Sequence, residues 1–526
     1  MVLTMTVTLI ENSTSSKRAL YSSQQIKKIE KAFSESIGKS TYLLMERAGK
    51  VIFNNLLSRW PKARKILIVT GKGNNAGDGF IVARLAAKKK IEVTLWSLAK
   101  DSLITGDAKI ALEKLPQNIH RIKTDNTHNN FCEDILTEQS EPFDLIIDAI
   151  LGTGVKGPVR QPFLSAVKAI NQNQASVLSI DIPSGVEADT GAVHNHAIKS
   201  DLTITFVGIK KGLLTGDAAN YIGQLILDKL DIPENFYPSK SQNIPSLTWK
   251  SIRKILQPRP EVCHKGCFGH VLLIGGNKGY AGAAVLSTKA SARSGAGLTS
   301  ALVDIDSVIP ILNHTPEVMA NAVKFEQIDT LFNNKKLTNK TIVFGPGLGT
   351  DKWSKKWFEN LQSNKELANQ FQVWDADALN LLSQQPNLCH NRILTPHPGE
   401  ASRLLNTDIK TINNNRFKAA SQIAKIYGGI CVLKGVGTII SDEQGNQVVC
   451  PVGNPGMATG GMGDILAGLI GGLLAQGYSM IDSAILGVCI HGEAADLAAG
   501  SKEQYRGMLA TDLIEHFQSL LNPDID

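Results

Sequence analysis

At 526 residues the chain exceeds the size at which a single hydrophobic core stops growing, so two or three domains are expected. Hydrophobic residues make up 43% and charged residues 20%, the balance of a globular protein rather than a disordered or fibrous one. The net charge of +7 is scattered, with no basic stripe interleaved with aromatics, which argues against a nucleic-acid partner. Seven cysteines, an odd number without framework spacing, fit a reducing compartment. The apolar opening carries no basic leader or small-residue cleavage site, and the longest apolar run, residues 465–475, is too short to span a bilayer. No membrane association and a cytoplasmic location are therefore expected.

In chain order, the first twenty or so residues are polar and Ser-rich and read as poorly ordered. Two helical stretches follow over residues 22–57, the second with Leu43, Leu44, Ala48, Ile52 and Leu56 at near-helical spacing. Residues 65–70 form a β-branched run ending in Gly71, the pattern of a buried parallel strand. A helix over 80–89 and strands over 92–96, 143–148, 176–181 and 202–206 complete an alternation that means a doubly wound α/β sheet. Prolines and polar residues between 233 and 260 read as a linker, assigned to residues 236–245. The alternation then resumes, with strands over 270–275, 297–303, 341–344, 372–375, 391–395 and 430–434 and a helix over 282–294. The fold class is α/β, as two successive α/β domains.

Gly71-Lys72-Gly73-Asn74-Asn75-Ala76-Gly77-Asp78-Gly79 follows the first buried strand and leads into a helix, the setting of a phosphate-cradling turn. It is neither a Walker loop nor a dinucleotide Gly-x-Gly-x-x-Gly, and its amide and carboxylate oxygens suit ribose hydroxyls or a hard cation. The next two strands end in Asp148-Ala149-Ile150-Leu151-Gly152-Thr153-Gly154 and Asp181-Ile182-Pro183-Ser184-Gly185. Ligands of open α/β sheets bind beyond the carboxyl ends of the strands, so these turns converge on one crevice. The competing reading is three ordinary strand-to-helix turns. Cys263-His264-x-x-Cys267 with His270 nearby lacks a second pair at zinc-ribbon spacing and is not read as a zinc site. His194-Asn195-His196 reads as loop.

Taken together and in this order, the three motifs resemble the NAD(P)H-hydrate epimerases, and Met45-Glu46-Arg47-Ala48-Gly49 resembles that family's leading helix. The likeness spans residues 20–235. It implies a Rossmann-like three-layer domain that interconverts the R and S forms of NADH-hydrate and NADPH-hydrate. By matching positions it implies that Asn74, Asn75, Ala76, Gly77 and Asp78 hold the substrate together with Gly152, Thr153, Gly154, Val155, Lys156, Gly157 and Pro158. It further implies a potassium ion on Asn75, Asp148 and Ser184, and contact of Asp181 with the hydrated ring. Epimerising a hydroxylated ring carbon needs a proton donor or acceptor beside it. Asp181, at a strand end next to rigid Pro183, is the best-placed catalytic candidate. The family carries a second glycine where this chain has Ala76; a positive φ there would cost alanine about 1 kcal/mol.

In the second half, Asn454-Pro455-Gly456-Met457-Ala458-Thr459-Gly460-Gly461-Met462-Gly463-Asp464 runs straight into an apolar helix. Glycines let backbone approach a ligand closely, and the free N–H groups at a helix start make an anion site. A carboxylate there is repelled by phosphate unless it serves to take a proton from a hydroxyl that will meet that phosphate. The alternative is a glycine turn with Asp464 as a helix-start residue. Further glycine turns follow other strands: Gly275-Gly276-Asn277, Gly345-Pro346-Gly347-Leu348-Gly349, Thr395-Pro396-His397-Pro398-Gly399-Glu400 and Lys434-Gly435-Val436-Gly437-Thr438. Each alone is weak; His397 alone is more often a packed or capping histidine.

This set resembles the ADP- or ATP-dependent NAD(P)H-hydrate dehydratases, with their ribokinase-like fold, over residues 246–520; His264-Lys265-Gly266-x-x-Gly269-His270-Val271 fits that family's opening. By position, the resemblance implies that Ala283, Gly347, His397 and Asp464 meet the hydrated dinucleotide. It implies that Lys434, Gly435, Val436, Gly437, Thr438 and Gly463 meet ADP or ATP, accompanied by Mg²⁺. Met462 stands where family members show Ser or Thr, a tolerable change if backbone N–H groups bind the anion. Both domains on one chain resemble the bifunctional NAD(P)H-hydrate repair enzymes, and a homo-oligomer is expected. Rival readings are a vitamin-type kinase fused to a nucleotide-binding regulator, and a non-catalytic nucleotide sensor in which Asp181 and Asp464 are dispensable.

Overall fold

The computed structural model describes residues 9–10, 18–123, 142–239, 243–333, 337–501 and 504–523. Two compact units emerge, one built on Ala19–Ile244 and the other on Pro245–Asp526.

The first unit is a parallel sheet in the order Leu9–Ile10, Gln224–Asp228, Leu202–Phe206, Ser176–Ile180, Leu145–Ala149, Lys65–Thr70, Glu92–Ser97, His120–Lys123. Its central strands are dominated by buried aliphatic and β-branched residues because both faces are covered. Ile66 and Ile68 pack on one side against helices Ser23–Ser36, Tyr42–Arg59 and Asn74–Lys88, while Leu67 and Val69 pack on the other with helix Phe163–Gln172. The result is three layers. Chain order reverses between Lys65–Thr70 and Leu145–Ala149, which opens a crevice at their carboxyl ends.

Two expectations change here. The segment read as poorly ordered contains a strand, Arg18–Tyr21, paired with Ile209–Lys210; residues 1–8 and 11–17 lie outside the described residues. Burying Leu20, 1% exposed, stabilises by roughly 1.5–3 kcal/mol, enough to offset ordering a residue or two of backbone. The helix expected from residue 80 begins at Asn74, so the glycine-rich motif is its first turns. Those glycines serve packing: a Cβ on Gly77 would lie 2.5 Å from the Met45 sulfur, and one on Gly79 would lie 2.7 Å from Ala149. Ala76 is therefore helical and without positive φ, and the anticipated strain does not arise.

The second unit carries parallel strands in the order Met319–Ala322, Leu298–Val303, His270–Ile274, Thr341–Phe344, Gln372–Trp374, Arg392–Leu394, Ile430–Leu433. An antiparallel pair, Thr438–Asp442 and Gln447–Cys450, extends it, followed by Ile244–Ser246. Val271, Leu273, Val343 and Val432 face a core completed by helices Met462–Ala475 and Met480–Ala499. Opposite, Trp374 stacks edge-on against Phe344 at 5.1 Å and lies 5.7 Å from Phe358. Helix Met462–Ala475 approaches helix Ala281–Arg293 so closely that a Cβ on Gly468 would meet the Ser287 carbonyl at 2.1 Å. Among the described residues, no helix is long and apolar enough to cross a membrane.

The stretch read as a linker is more structured than that. Phe236 packs edge-on against Phe33 at 5.4 Å, and the Tyr237 hydroxyl donates to the Val207 carbonyl at 2.8 Å. Ile244–Ser246 joins the second sheet, and Leu247, Ile252 and Leu256 enter its core. Aromatic and aliphatic residues between the prolines hold the stretch to both units; residues 240–242 lie outside the described residues.

Candidate functional site

In the first unit the motifs meet at the reversal point. A Cβ on Gly71 would lie 2.1 Å from the Ile150 carbonyl, so glycine is required for the two strand ends to converge. Asn75 Nδ2 donates to the Leu151 carbonyl at 3.1 Å across that junction. Asp148 is fully buried: Oδ1 accepts from Ser184 Oγ at 2.5 Å and Ile150 N–H at 3.2 Å, and Oδ2 from Ser179 Oγ and Ser184 N–H, both at 2.8 Å. Burial raises its carboxyl, and the hydrogen bonds from Ser184 and Ser179 work against that rise. Asn75, Asp148, Ser184 and the Leu151 carbonyl thus form one oxygen-rich nest. Gly152 stands beside it, where a Cβ would lie 3.5 Å from that of Asn75. Residues 153–158 continue as irregular chain, with Gly157 at φ +78°.

Asp181 follows strand Ser176–Ile180 at φ +64°, a left-handed conformation that costs a non-glycine residue about 1 kcal/mol or more. Its Oδ1 accepts from the Phe206 N–H at 3.1 Å, the Thr205 hydroxyl at 3.2 Å and the buried ammonium of Lys210. Asp78 and Glu30 belong to the same electrostatic cluster. Burial, together with the charges of Asp181 and Glu30, holds the Asp78 carboxyl well above its usual range. Burial pushes Glu30 up to about 7, with Lys210 opposing.

The second unit repeats the logic at its own reversal point, between His270–Ile274 and Thr341–Phe344. Asn277 N–H donates to the Gly347 carbonyl at 2.7 Å. Gly347 has φ +62° and leaves no room for a side chain, since a Cβ would lie 2.5 Å from the Tyr280 carbonyl and 3.1 Å from Ala283. Ala283 and Gly347 are therefore neighbours.

Helix Met462–Ala475 starts from Gly461, its N-cap, at φ +87°. Met462 turns its side chain into the core and Asp464 closes the first turn, with Gly463 between them. A Cβ on Gly463 would stand 3.1 Å from both Asp375 Oδ2 and Lys434 Nζ, which fixes the turn against that pair. Lys434 Nζ lies 2.6 Å from Asp375 and 3.9 Å from Glu400. Burial works against its charge, and the two carboxylates more than offset this, so Lys434 sits above its ordinary value. Burial and the nearby Asp375 push Asp464 up to about 7, with Lys434 opposing. Burial also raises Glu400. His397 caps helix Pro398–Leu404, its Nδ1 accepting from Gly399 N–H at 2.9 Å; burial and Lys434 hold it below its ordinary value. Val436 is exposed, and the Thr438 hydroxyl donates to the Gly435 carbonyl at 3.0 Å. Asp464, Gly463, Lys434 and His397 come together around Asp375 and Glu400.

Comparison with known proteins covers both units. A family model described as YjeF-related protein N-terminus matches residues 41–212, and one described as NAD(P)H-hydrate dehydratase matches residues 271–519. The bifunctional NAD(P)H-hydrate repair enzyme Nnr of Coxiella burnetii is 42% identical over 96% of this chain and 99% of its own. The chain belongs to the bifunctional NAD(P)H-hydrate repair enzyme family. The Escherichia coli K12 member is 37% identical over 98% of this chain and 97% of its own. Among solved structures, an ADP/ATP-dependent NAD(P)H-hydrate dehydratase from Bacillus subtilis, co-crystallised with ATP/Mg²⁺, is 26% identical. The match covers 52% of this chain and 96% of that one, with a TM-score of 0.47.

Asp375, Glu400, Lys210 and Glu30, which the structure places in these two clusters, were not picked out as candidates from the sequence. Asp375 had a usable signal, since it directly follows the buried strand Gln372–Trp374, at the carboxyl end of the sheet where Asp148 also lies. Glu400 lay inside a quoted motif, three residues from His397. Lys210 gave none that separates it from Lys211. The four Cys and His residues considered for zinc are otherwise engaged or exposed: Cys263 and Cys267 are exposed, His264 accepts from Gly266 N–H at 3.1 Å, and His270 pairs with Ser300 Oγ at 2.6 Å.

Proposed function

We propose that the chain repairs hydrated nicotinamide cofactors: the first unit interconverts R and S NAD(P)H-hydrate, and the second dehydrates the S form at the expense of ADP or ATP. One observation carries the reading of the second unit. A carboxyl poised near neutrality stands in the first turn of a glycine-opened helix, beside the ion pair of half-buried Lys434 with buried Asp375. Asp464 takes the proton of the ring hydroxyl, whose oxygen attacks the terminal phosphorus as the bond to the nucleotide's bridging oxygen breaks. The ring nitrogen's lone pair then expels phosphate from the carbon, loss of the neighbouring C–H proton restores the double bond, and NADH or NADPH results. Helix-start N–H groups and Gly463 hold the phosphate, Lys434 to Thr438 meet the nucleotide, and Ala283, Gly347 and His397 meet the dinucleotide. Mg²⁺ would enter with the nucleotide's phosphates and neutralise charge on the group in transfer.

In the first unit Asp181 is assigned the catalytic role, and the loops 74–78 and 152–158 the substrate. Potassium fits the nest of Asn75, Asp148 and Ser184, whose donors are all oxygens and whose buried carboxylate has no ion pair among the described residues. The ion would supply a counter-charge and fix the loops.

Two expected results test these roles. Because Asp464 must be ionised to act and its folded value is raised to about 7, kcat/KM for dehydration should climb about tenfold per pH unit below that point and level above it. A profile flat from weakly acidic to neutral pH would remove Asp464 as the base. Because Ile244–Ser246 belongs to the second sheet, fragments 1–242 and 243–526 should each be soluble. The first should epimerise without nucleotide, and the second should consume S-hydrate only with ADP or ATP. Two insoluble fragments, or epimerisation by the second, would contradict the division.

A further inference from the structure

Lys210 lies in the first unit on the two-residue strand Ile209–Lys210, held in register by backbone pairing with Tyr21. It is 1% exposed. Burying an ammonium is costly unless its donors are matched. Those donors go to the Asp181 carboxylate, to Thr205 Oγ1 at 3.1 Å and to the Phe206 carbonyl at 3.0 Å. All protein hydrogen bonds to Asp181 converge on Oδ1, so that oxygen is locked while Oδ2 takes none from the described residues. Asp78, in the second turn of helix Asn74–Lys88, is a second carboxyl of this cluster. It is 9% exposed and has no hydrogen-bond partner among the described residues.

Epimerisation at the hydroxylated carbon imposes a definite requirement. The C–O bond breaks as the ring nitrogen's lone pair forms C=N, and the departing oxygen needs a proton to leave as water. Water then re-adds to the other face, the C=N electrons return to nitrogen, and the added oxygen gives up a proton. One group must start protonated and another ionised, and they exchange roles in the reverse direction. Two carboxyls whose surroundings favour opposite charge states meet that need.

We propose that Lys210 is the positioning residue that keeps Asp181 as the proton acceptor of this epimerisation, leaving Asp78 as the catalytic proton donor. The inference rests on the epimerase reading of the first unit. Burial and the charge of Asp181 hold the Asp78 carboxyl well above its usual range, which favours its protonated form. The other titratable groups around the pair are Glu30 on helix Ser23–Ser36, pushed up to about 7, and Lys27, whose charge acts on Glu30.

The test follows R-to-S conversion by the whole chain without nucleotide, as kcat and KM across pH, in wild type, Lys210→Met, Lys210→Arg and Asp78→Asn. Lys210→Met is expected to lower kcat by about a hundredfold or more with KM within about threefold. Its kcat–pH profile should change, because the counter-charge beside the Asp181 carboxylate is gone. Lys210→Arg should regain part of kcat and the wild-type profile. Asp78→Asn keeps the shape but has no acidic proton, and kcat should fall by about two to four orders of magnitude. An unchanged pH profile in Lys210→Met, or Asp78→Asn within about tenfold of wild type, overturns the inference. Should Lys210→Met fail to fold by circular dichroism, Lys210→Arg and Asp78→Asn decide it on the same criteria. A wild-type chain that never interconverts the two forms overturns the epimerase reading itself, a result distinct from normal wild type with indifferent variants.

Discussion

Asp464→Asn is expected to slow dehydration of S-hydrate by about two to four orders of magnitude, the range a positioned general base contributes. Asparagine keeps the size of the side chain and removes the proton acceptor. The turn through Gly461 and Gly463 is untouched, so its N–H groups still bind phosphate; losing a negative charge beside that phosphate should leave nucleotide affinity equal or tighter. Stability moves the other way from activity. A carboxyl raised from 3.8 to about 7 costs the native state progressively as pH rises between those values, because the folded chain resists the ionisation that the unfolded chain undergoes freely. Above neutrality the variant should therefore melt no lower than wild type. Turnover within a few-fold of wild type, measured by return of the reduced-nicotinamide absorbance with saturating nucleotide, would remove Asp464 from the chemistry.

Asp148→Ala should slow R-hydrate consumption by at least about tenfold while leaving S-hydrate dehydration at its wild-type rate. The carboxylate does two things at once. It accepts from Ser184, Ser179 and Ile150, and it supplies the only full negative charge in the oxygen nest. Removing it strands buried donors at about 1–3 kcal/mol each, which loosens the turn that carries Ser184. Potassium dependence of epimerisation should vanish with it, whereas replacing potassium by a bulky organic cation should slow the wild type alone. Asp148 and Asp464 belong to different units, so pure R and pure S substrates read them separately. Equal loss of both activities in a folded variant would show that the ion has been misplaced or that the two activities are coupled.

Most of the frame was legible because buried parallel strands are rich in aliphatic and β-branched residues: Thr341–Phe344, for one, is flanked by Lys340 and Gly345. The reversal-point glycines were legible too, for Gly71 and Gly347 sit where no side chain fits. The short strand Arg18–Tyr21 was not, since its order comes from pairing with residues far along the chain and not from its own pattern. Thr438–Asp442 and Gln447–Cys450 escaped for a related reason, their polar ends reading as loop. Asn74 to Gly79 looked like a turn because glycine is ambiguous: it permits turns, and it equally permits a helix to press against Met45 and Ala149. At the sites, carboxylates at strand ends and at the helix start announced themselves. Their pairing with Lys210, and the pairing of Lys434 with Asp375 and Glu400, came into view only when distant strands were laid side by side.

Repair by two successive activities is tested most directly by the fate of pure R-NADH-hydrate given to the whole chain with ADP or ATP. The predicted result is full return of the reduced-nicotinamide absorbance with nucleotide, an R and S mixture without it, and the same stalled mixture with Asp464→Asn in the presence of nucleotide. Persistence of R-hydrate while added S-hydrate is converted, or recovery of absorbance with no nucleotide present, would contradict it.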